Sequence, residues 1–452
     1  MDFARLGIIF LAVFLAGCVL PSAHKPKDYG EFTPPANWHV EGLETHGVKT
    51  HEVEALRELV DSAELAALLD LALTGNPNLK QIALRVSEAN ALARIKRGAR
   101  LPTLDFGIEH QSERANGQTT RTATGTLSSE LDLDPWRRLG DSARASELRT
   151  KAQNADYEGA RISLVAGVLH QVLSILSADK IIAIEEKRLD TLMLNEQFIR
   201  NRYLAGLGSL SDLEAARTEL AQRRAALHAR RESRAANHRA LSVLLGRHGE
   251  PPMLPATLIV KMPDTALPVT VIGRRPDLVA ALARIGAADH EAYAAAKALL
   301  PGLSLSFDWS KSASTIGDIP GANPISTLLA GIAAPLFRGG QLRAERDRSG
   351  HVAERAYWAY RETLLRALIE VEDALGREVS LREQSKVLQG AIGHAEKNRR
   401  IFESRYREGI ASIFDLLRAQ QTAFDAQIDL LDINLARDSN RVDLAAALGL
   451  GL

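Results

Sequence analysis

The chain has 452 residues, which on ordinary domain sizes corresponds to about three domains and leaves enough residues for a sizeable core. Its 56 Lys and Arg balance 56 Asp and Glu, so no basic excess points to a nucleic-acid partner. The single cysteine excludes an intrachain disulfide, and the abundance of Ala and Leu beside 5 % aromatic residues is typical of a helix-rich chain.

The N-terminal segment has the form of an export signal. An apolar run over residues 6–16 is too short for a comfortable membrane-spanning helix and predicts a signal peptide over residues 1–17. The letters "LAGC", ending at Cys18, resemble the bacterial lipobox, in which cleavage leaves the cysteine as an acylated first residue. We therefore expect a covalent lipid such as palmitate on Cys18, the alternative being a plain signal peptide with an incidental cysteine. Val19 stands where an Asp would retain a lipoprotein in the inner membrane, so the outer membrane is favoured.

An extended arm is predicted next, over residues 18–62. Four prolines and little hydrophobic periodicity characterise this stretch, as expected for a segment without its own core. We expect it to carry the mature chain away from the lipid.

A duplication follows, with one repeat over residues 63–252 and a second over residues 253–452. Pro276 follows Pro77 by 199 residues, and Tyr406 follows Tyr203 by 203 residues. A spacing that grows within the repeat indicates one duplicated unit with a small insertion. The period of about 200 residues is far longer than that of solenoid repeats.

Each repeat begins with a helix and continues with two strands. Proline at 77 and 276 suits a first helical turn, because its missing N–H has no partner there anyway. Strict alternation of apolar and polar residues then predicts strands in "LPTLDFGIEHQ", "TATGTLSSELDLD" and "GLSLSFDWSK". A fourth stretch, "PISTLLAGIAAPLF", is apolar on both faces and is the least regular of the four predicted strands.

Four strands with one apolar face fit the wall of a transmembrane barrel. They cannot close one alone, because a small barrel needs about eight strands and an open edge in lipid leaves backbone groups unpaired. The sheet must then be completed by other copies of the chain. The alternative is a soluble sandwich that buries its apolar face on helices.

Very long helices follow each strand pair. No proline interrupts residues 343–404, and some sixty helical residues would span roughly 90 Å. The return helices carry seven-residue apolar spacings, such as Leu417, Phe424 and Leu431, which predict coiled-coil packing. The turns between outgoing and return helices are the near copies "RYLAGLGSLSDLE" and "RYREGIASIFDLL". In each, a glycine supplies the turn, and Ser211 with Asp212, or Asp415, is expected to cap the next helix.

These motifs together resemble the outer membrane efflux proteins, the trimeric exit ducts of tripartite multidrug efflux and type I secretion systems. The resemblance rests on "RPD" at Arg275, "LLPGLSLS" at Leu299, "PLFRGGQLRAE" at Pro335 and the two turns. It implies a mainly α fold with a transmembrane β part, in which three chains form a 12-stranded β-barrel and a long α-helical coiled-coil barrel. It further implies a homotrimer in the outer membrane that extends into the periplasm. An inner-membrane transporter and a periplasmic adaptor would be its partners.

The resemblance also implies a gate at the periplasmic tips of the helices. The predicted gate and tip residues are Tyr203, Gly206, Ser211, Asp212, Tyr406, Arg407, Gly409, Phe414, Asp415 and Arg418. Tyr406 and Asp212 look like a hydrogen-bonded link with Ser211 beside it. Asp415 resembles a member of an acidic constriction, and Phe414 an apolar one.

Two departures from the family pattern affect this gate, and another lies in the second repeat outside it. Ala411 stands where some members have a basic partner, which Arg407 is a candidate to replace. Arg418 stands where members often have a second acid; it would pair with Asp415 of a neighbouring copy or point into solvent. Arg338 stands where the family often has Asp before two glycines. For each gate residue, helix capping or a solvated surface is the alternative.

Catalysis finds little support in the sequence. "HEVE" at His51 lacks the second histidine of a metalloprotease helix, and "GLGSL" at Gly206 is not a nucleophile elbow. We therefore expect no enzyme, no metal site and no cofactor beyond the lipid. Two rivals to the duct are a periplasmic adaptor, which has one helical hairpin rather than two, and a coiled-coil lipoprotein scaffold, which leaves the amphipathic strands unexplained.

Overall fold

The computed structural model describes residues 35–40, 55–249, 253–264 and 268–452. The predicted signal peptide, Cys18 and most of the predicted arm lie outside these residues. The regular elements are, in chain order, α1 Ala63–Gly75, α2 Pro77–Gly98, β1 Asp105–Ala115, β2 Gln118–Leu133, α3 Arg138–Leu204, α4 Leu210–Leu244, α5 Pro268–Arg274, α6 Pro276–Lys297, β3 Gly302–Ala313, β4 Pro324–Ala333, α7 Gln341–Arg407 and α8 Ile413–Ala447. Short 3₁₀ helices lie at Leu56–Leu59 and Ile316–Gly321.

The same order of elements occurs twice. The series α2-β1-β2-α3-α4 returns as α6-β3-β4-α7-α8. The lengths match as well: α2 and α6 each have 22 residues, α3 and α7 each have 67, and α4 and α8 each have 35. Both first helices begin at the prolines that the sequence singled out. This regularity supports the duplication, while its boundaries at 63–252 and 253–452 stay a prediction.

The described residues form two compact units. One, the sheet unit, comprises Ala83–Asp156 and Asp277–Thr363. The other, the helical unit, comprises the described residues of Thr33–Ile82 together with Tyr157–Pro276 and Leu364–Leu452. The long helices α3 and α7 each contribute to both units.

The sheet unit holds one antiparallel sheet in the order β1-β2-β3-β4. All four predicted strands are confirmed, including the one that is apolar on both faces. The β1–β2 turn consists of Asn116 and Gly117 with φ of 51° and 81°, the conformation of a two-residue type I′ hairpin turn. Since each strand pairs only with its sequence neighbours in this order, β1 and β4 are open edges within the described chain.

The register gives the sheet two chemically different faces. Phe106, Leu127 and Trp309 lie in one row across β1, β2 and β3. The neighbouring row of Asp105, Ser128 and Asp308 points to the opposite face, because side chains alternate along each strand. Phe106 is 71 % exposed and therefore lacks a covering layer. This geometry suits a membrane-facing wall and excludes, within the described chain, a sandwich that buries the apolar face on helices.

The helical unit has an extensive apolar core. Its contributors include Leu169 and Ile175 of α3 and Leu241 of α4, each at most 1 % exposed. Leu56 and Leu59 are fully buried in the same core, so the last residues of the predicted arm are packed rather than extended. One stretch of α3 is long and apolar enough to cross a membrane, but half of it is buried, as in a core helix.

The repeats use different side chains to attach their first helices to this core. Asn76, just before α2, donates from its amide to the carbonyl of Leu244 at 2.9 Å. Arg275, just before α6, donates to the carbonyl of Ala447 at 3.0 Å and to Glu370 at 2.7 Å. In both repeats a polar side chain thus satisfies a carbonyl at the end of the return helix, which would otherwise lack a partner.

Candidate gate at the helical tips

The first tip is the turn from α3 into α4. The Gly206 N–H donates to the Tyr203 carbonyl at 3.0 Å, and the Leu207 N–H donates to the Arg202 carbonyl at 2.8 Å. This pair of bonds is a Schellman motif, and it requires a left-handed residue, which Gly206 supplies with φ of 72°.

The second tip, from α7 into α8, repeats this geometry. The Gly409 N–H donates to the Tyr406 carbonyl at 3.1 Å, and the Ile410 N–H donates to the Arg405 carbonyl at 2.8 Å. Gly409 has φ of 76°. Similar sequence letters therefore produce the same backbone twice, and both predicted tip glycines have the left-handed conformation that the turn needs.

The serines that cap the return helices are not the ones that the sequence analysis named, although Asp415 takes part in its cap as predicted. Ser209, not Ser211, caps α4, since its hydroxyl accepts from the Asp212 N–H at 3.1 Å. Ser412 caps α8 in the same way, accepting from the Asp415 N–H at 3.2 Å. Ser211 instead hydrogen bonds to the Ser209 hydroxyl at 2.7 Å. The prediction missed the caps because each helix begins one residue after its serine, earlier than the apolar pattern indicates.

The two tip acids are engaged differently. Asp415 forms a reciprocal capping box, accepting from the Ser412 N–H at 3.1 Å and from the Ser412 hydroxyl at 2.6 Å. These two bonds lower the pKa of Asp415. Among the described residues, the Asp212 carboxylate makes no hydrogen bond of this kind. Asp415 is therefore a local cap, while Asp212 is available to groups on the other tip.

A small apolar cluster holds the two tips together. Its buried members, each at most 4 % exposed, are Ile199, Leu213, Ala216, Ile413 and Leu416. They come from α3, α4 and α8, and Tyr406 of α7 packs against them. The tips consequently form a single packed region within the helical unit.

Tyr406 links the second tip to the first. Its ring makes an edge contact with Phe198 at 5.9 Å between centroids and lies 5.7 Å from the guanidinium carbon of Arg202. Burial raises the pKa of Tyr406, hydrogen bonding and charge from Arg202 oppose this shift, and the negative charge of Asp212 adds to it. The hydroxyl therefore stays protonated at neutral pH. The predicted hydrogen bond between Tyr406 and Asp212 stays a prediction: Asp212 acts on Tyr406 through its charge, while Arg202 hydrogen bonds to the hydroxyl.

Arg202 is the tip residue that sequence reasoning missed. It also donates to the Leu207 carbonyl at 3.2 Å, so it spans its own turn and the tyrosine of the other turn. The available signal was its position beside Tyr203, which the sequence analysis had assigned to the tip. Arginine in this position supplies several donors in a fixed plane, which suits a bridge between a carbonyl, an aromatic ring and a hydroxyl.

The remaining predicted residues lie on the surface of the tips. Tyr203 is 38 % exposed and Phe414 is 53 % exposed. Arg407 is the last residue of α7 and is exposed. Arg418 is also exposed, and its charge contributes to the lowered pKa of Asp415 in the same chain. The replacement of a missing basic partner by Arg407 stays a prediction.

A cleft of about 270 Å³ lies behind the second tip. Phe414, Arg418 and Phe424 of α8 line it, together with Arg188 of α3. Arg188 is only 2 % exposed, bonds to Asp425 at 2.9 Å, and has the Phe424 ring 5.7 Å from its guanidinium carbon. No local sequence pattern indicates this arrangement, because the pairing partners are more than 200 residues apart.

A second buried charge cluster lies further from the tips in the helical unit. Glu378, only 1 % exposed, accepts from Arg437 and Arg441 at 2.9 Å each. Burial raises the pKa of the neighbouring Asp438 to about 6, against the opposing charges of Arg441 and Arg437. Within the described residues, no group of three or more His, Cys, Asp or Glu side chains has the arrangement of a metal site.

Comparison with known proteins decides the family. The model of the outer membrane efflux protein family matches residues 68–247 and again residues 267–450. The chain belongs to this family. The two matches coincide with the two series of helices and strands described above, so the family match covers both halves of the chain.

Curated relatives of this efflux protein span nearly its whole length. The pyoverdine export outer membrane protein OpmQ of Pseudomonas aeruginosa is 27 % identical, over 100 % of this chain and 98 % of the relative. The outer membrane protein OprJ of the same organism is 28 % identical, over 98 % and 95 %. The cation efflux system protein CusC of Escherichia coli is 27 % identical, over 86 % of each chain.

Solved structures agree with these relatives. A membrane protein from Pseudomonas aeruginosa has a TM-score of 0.83 at 26 % identity, covering 93 % of this chain and 99 % of the other. CusC has a TM-score of 0.82 at 25 % identity with the same coverage. The predicted fold class, long coiled-coil helices with four barrel strands per chain, is confirmed.

The family membership also settles the broad function. The protein is an outer membrane efflux channel whose helices extend into the periplasm, as the sequence predicted. The adaptor and scaffold alternatives are not favoured, since the relatives named above are outer membrane and efflux proteins. Family members are channels rather than enzymes.

Proposed function

We propose that three copies of this chain form a closed exit duct that receives cargo from an inner-membrane transporter through a periplasmic adaptor. The observation that carries the proposal is the four-stranded sheet with an exposed apolar face and two open edges, β1 and β4. In lipid, each unpaired backbone group at such an edge costs several kcal/mol, so the edges must pair with other copies. Three copies give the twelve strands that the family resemblance implies.

The duct conducts passively. Its polar sheet face carries serine, threonine and acidic side chains, among them Thr126, Ser306 and Asp308, which offer generic hydration rather than a built binding site. Energy for transport then comes from the inner-membrane partner. Acylation of Cys18 anchors the N-terminus of each copy in the same membrane.

The tips form the gate. In the closed duct, Arg202, Tyr406 and Asp212 act as a latch that fixes the outgoing helix α7 against the first tip. The shared apolar cluster and the contacts of Tyr406 with Phe198 and Arg202 support this assignment. An adaptor that binds the open form more tightly shifts the equilibrium toward opening. Asp415 serves mainly to cap α8, because its carboxylate is held by Ser412.

The trimeric duct is tested on full-length, membrane-extracted protein. We expect native mass spectrometry to give three copies per particle, and planar bilayers to show discrete current steps. A monomer without conductance after correct folding, verified by its helical circular dichroism, would contradict the duct. Current steps from a particle with another number of copies would still show a channel but would contradict the trimer.

A further inference from the structure

The cleft behind the second tip belongs neither to the latch nor to the helix caps. We call it the tip cleft; its walls come from α3, α4 and α8 of a single chain. Its volume of about 270 Å³ lies just below the ~300–1,000 Å³ of ordinary small-molecule sites. The tip cleft is therefore large enough for a group of one or two rings.

Aromatic and apolar side chains form much of the tip cleft. Phe414 and Phe424 line it, and Leu192 and Leu417 add aliphatic groups. Phe414 is 53 % exposed, so one face of its ring has no covering layer. Phe424 is half-buried and lies against the guanidinium of the buried Arg188, 5.7 Å from ring centroid to guanidinium carbon. These rings offer stacking surfaces to a flat ligand.

The charge that the tip cleft leaves available is positive. Of its charged groups, Arg188 is already bonded to Asp425 at 2.9 Å, and Glu219 is bonded by Arg223 at 2.7 Å. Arg418 is exposed, and among the described residues its guanidinium forms no hydrogen bond or ion pair. Arginine offers several donors in one plane, which suits an oxyanion such as a carboxylate or phosphate.

Asp415 does not occupy the donors of Arg418. Its carboxylate accepts from the Ser412 N–H at 3.1 Å and from the Ser412 hydroxyl at 2.6 Å, and Asp415 does not line the tip cleft. Arg418 acts on it only through charge, which contributes to the lowered pKa of Asp415. The guanidinium of Arg418 can therefore bind an anion that enters the tip cleft.

The duplication shows that the fold does not require these side chains. The spacing of 203 residues that relates Tyr203 to Tyr406 gives each of them an equivalent in the other repeat. The equivalents are Ser211 for Phe414, Ala215 for Arg418, Ala221 for Phe424 and Ala391 for Arg188. Because the other repeat builds the same helices and the same tip with small residues at all four positions, the rings and arginines of the tip cleft are not needed for the fold and indicate a binding role.

We propose that the tip cleft binds flat anionic cargo as it enters the duct, with an aromatic ring against Phe414 and Phe424 and the acid group on Arg418. The proposal rests on the tips being the gate of the proposed function, through which the cargo passes. A cationic ligand is a poorer occupant, because Arg418 repels it. A neutral ring would leave the donors of Arg418 without a ligand oxygen.

Isothermal titration calorimetry tests the site in the purified full-length protein. The probes are 2-naphthalenesulfonate, the cation 2-naphthyltrimethylammonium, and methanesulfonate, an anion without a ring. We expect the naphthyl anion to bind at least about tenfold more tightly than either of the others, because it alone offers both a ring and an acid group. Equal affinities for the naphthyl anion and the naphthyl cation would overturn the proposal.

Three variants locate the binding. Arg418→Gln should weaken the naphthyl anion by about tenfold, since it removes a charge-assisted hydrogen bond. Phe414→Ala should weaken both naphthyl probes by similar factors. The matched control is Arg224→Gln, an exposed arginine of α4 outside the tip cleft, which should bind like the parent protein. Because Phe414 and Arg418 are exposed, both variants should keep the helical circular dichroism of the parent. Equal weakening by Arg224→Gln and Arg418→Gln would overturn the site.

Planar bilayers test whether the tip cleft lies on the path of the cargo. The naphthyl anion, added to each side of the membrane in turn, should reduce the current of the parent protein from one side and act more weakly on Arg418→Gln. Binding by calorimetry without an effect on the current from either side would overturn the cargo role. A folded parent protein that never conducts would contradict the duct and the cargo role together, while calorimetry would still decide whether the tip cleft binds anions.

Discussion

The two tips share a backbone but differ in what their acids do. Each turn has a left-handed glycine, a Schellman motif and a serine cap. In the second tip the acid closes a capping box and is occupied by its own serine. In the first tip, among the described residues, Asp212 makes no such reciprocal bond, and its negative charge raises the pKa of Tyr406 while Arg202 lowers it. The two tips therefore share one backbone fold, while only in the first tip is the acid not engaged by its own serine.

A substitution in the apolar cluster shared by both tips should lower the local stability more than any other substitution at the tips. Leu416 is 4 % exposed within it, and Leu416→Ala should remove about 2–5 kcal/mol of local stability. We expect faster amide hydrogen exchange at the starts of both α4 and α8. Ile410→Ala, at a position 72 % exposed, is the matched control and should change little. Loosening of only one tip would mean that the tips are not one packed region.

The tip glycines should respond alike. A Cβ at either Gly206 or Gly409 would meet nothing within 4 Å, so alanine costs only the left-handed backbone strain of about 1–2 kcal/mol. Gly206→Ala and Gly409→Ala should therefore raise exchange rates at their own turns by similar factors. Gly390→Ala, inside α7 and equally open, should stabilise its helix instead. Unequal effects of the two tip variants would break the equivalence of the turns.

Lowering the pH should also distinguish the two tips, with a smaller effect on amide exchange than the cluster and glycine substitutions. Because the folded pKa of Asp415 is lowered, its contribution to stability is present above the unfolded pKa and is lost as pH falls through the folded pKa. Amide hydrogen exchange at the start of α8 is measured in the parent protein and in Asp415→Asn at each pH. The parent protein should be better protected than the variant at neutral pH. This difference should decline in the acid range below ordinary carboxylate pKa values. An identical profile for α4 and Asp212→Asn would show that both acids are caps.

The strands, the helix starts and the turns were predictable because each follows from short-range patterns. Alternation in "GLSLSFDWSK" fixes a two-faced strand, and Pro276 fixes a helix start whatever the distant surroundings. The latch partner Arg202 and the buried pair of Arg188 and Asp425 were not predictable, because they depend on which helices are neighbours. The capping serines were missed for a local reason: a cap precedes the apolar pattern that reveals a helix.

Single-channel conductance of three matched proteins tests most directly whether Tyr406 and Asp212, rather than Asp415, hold the duct closed. The full-length parent protein, Tyr406→Phe/Asp212→Asn and Asp415→Asn are compared in planar bilayers at neutral pH. The double variant should conduct in larger or longer steps. Tyr406→Phe removes the hydrogen bond of the hydroxyl with Arg202, worth about 1 kcal/mol of closure, Asp212→Asn removes the nearby charge, and both losses recur in every copy. Asp415→Asn should keep the parent's steps. An enlarged conductance in Asp415→Asn, with parental steps in the double variant, would contradict the latch and assign the gate to the second tip.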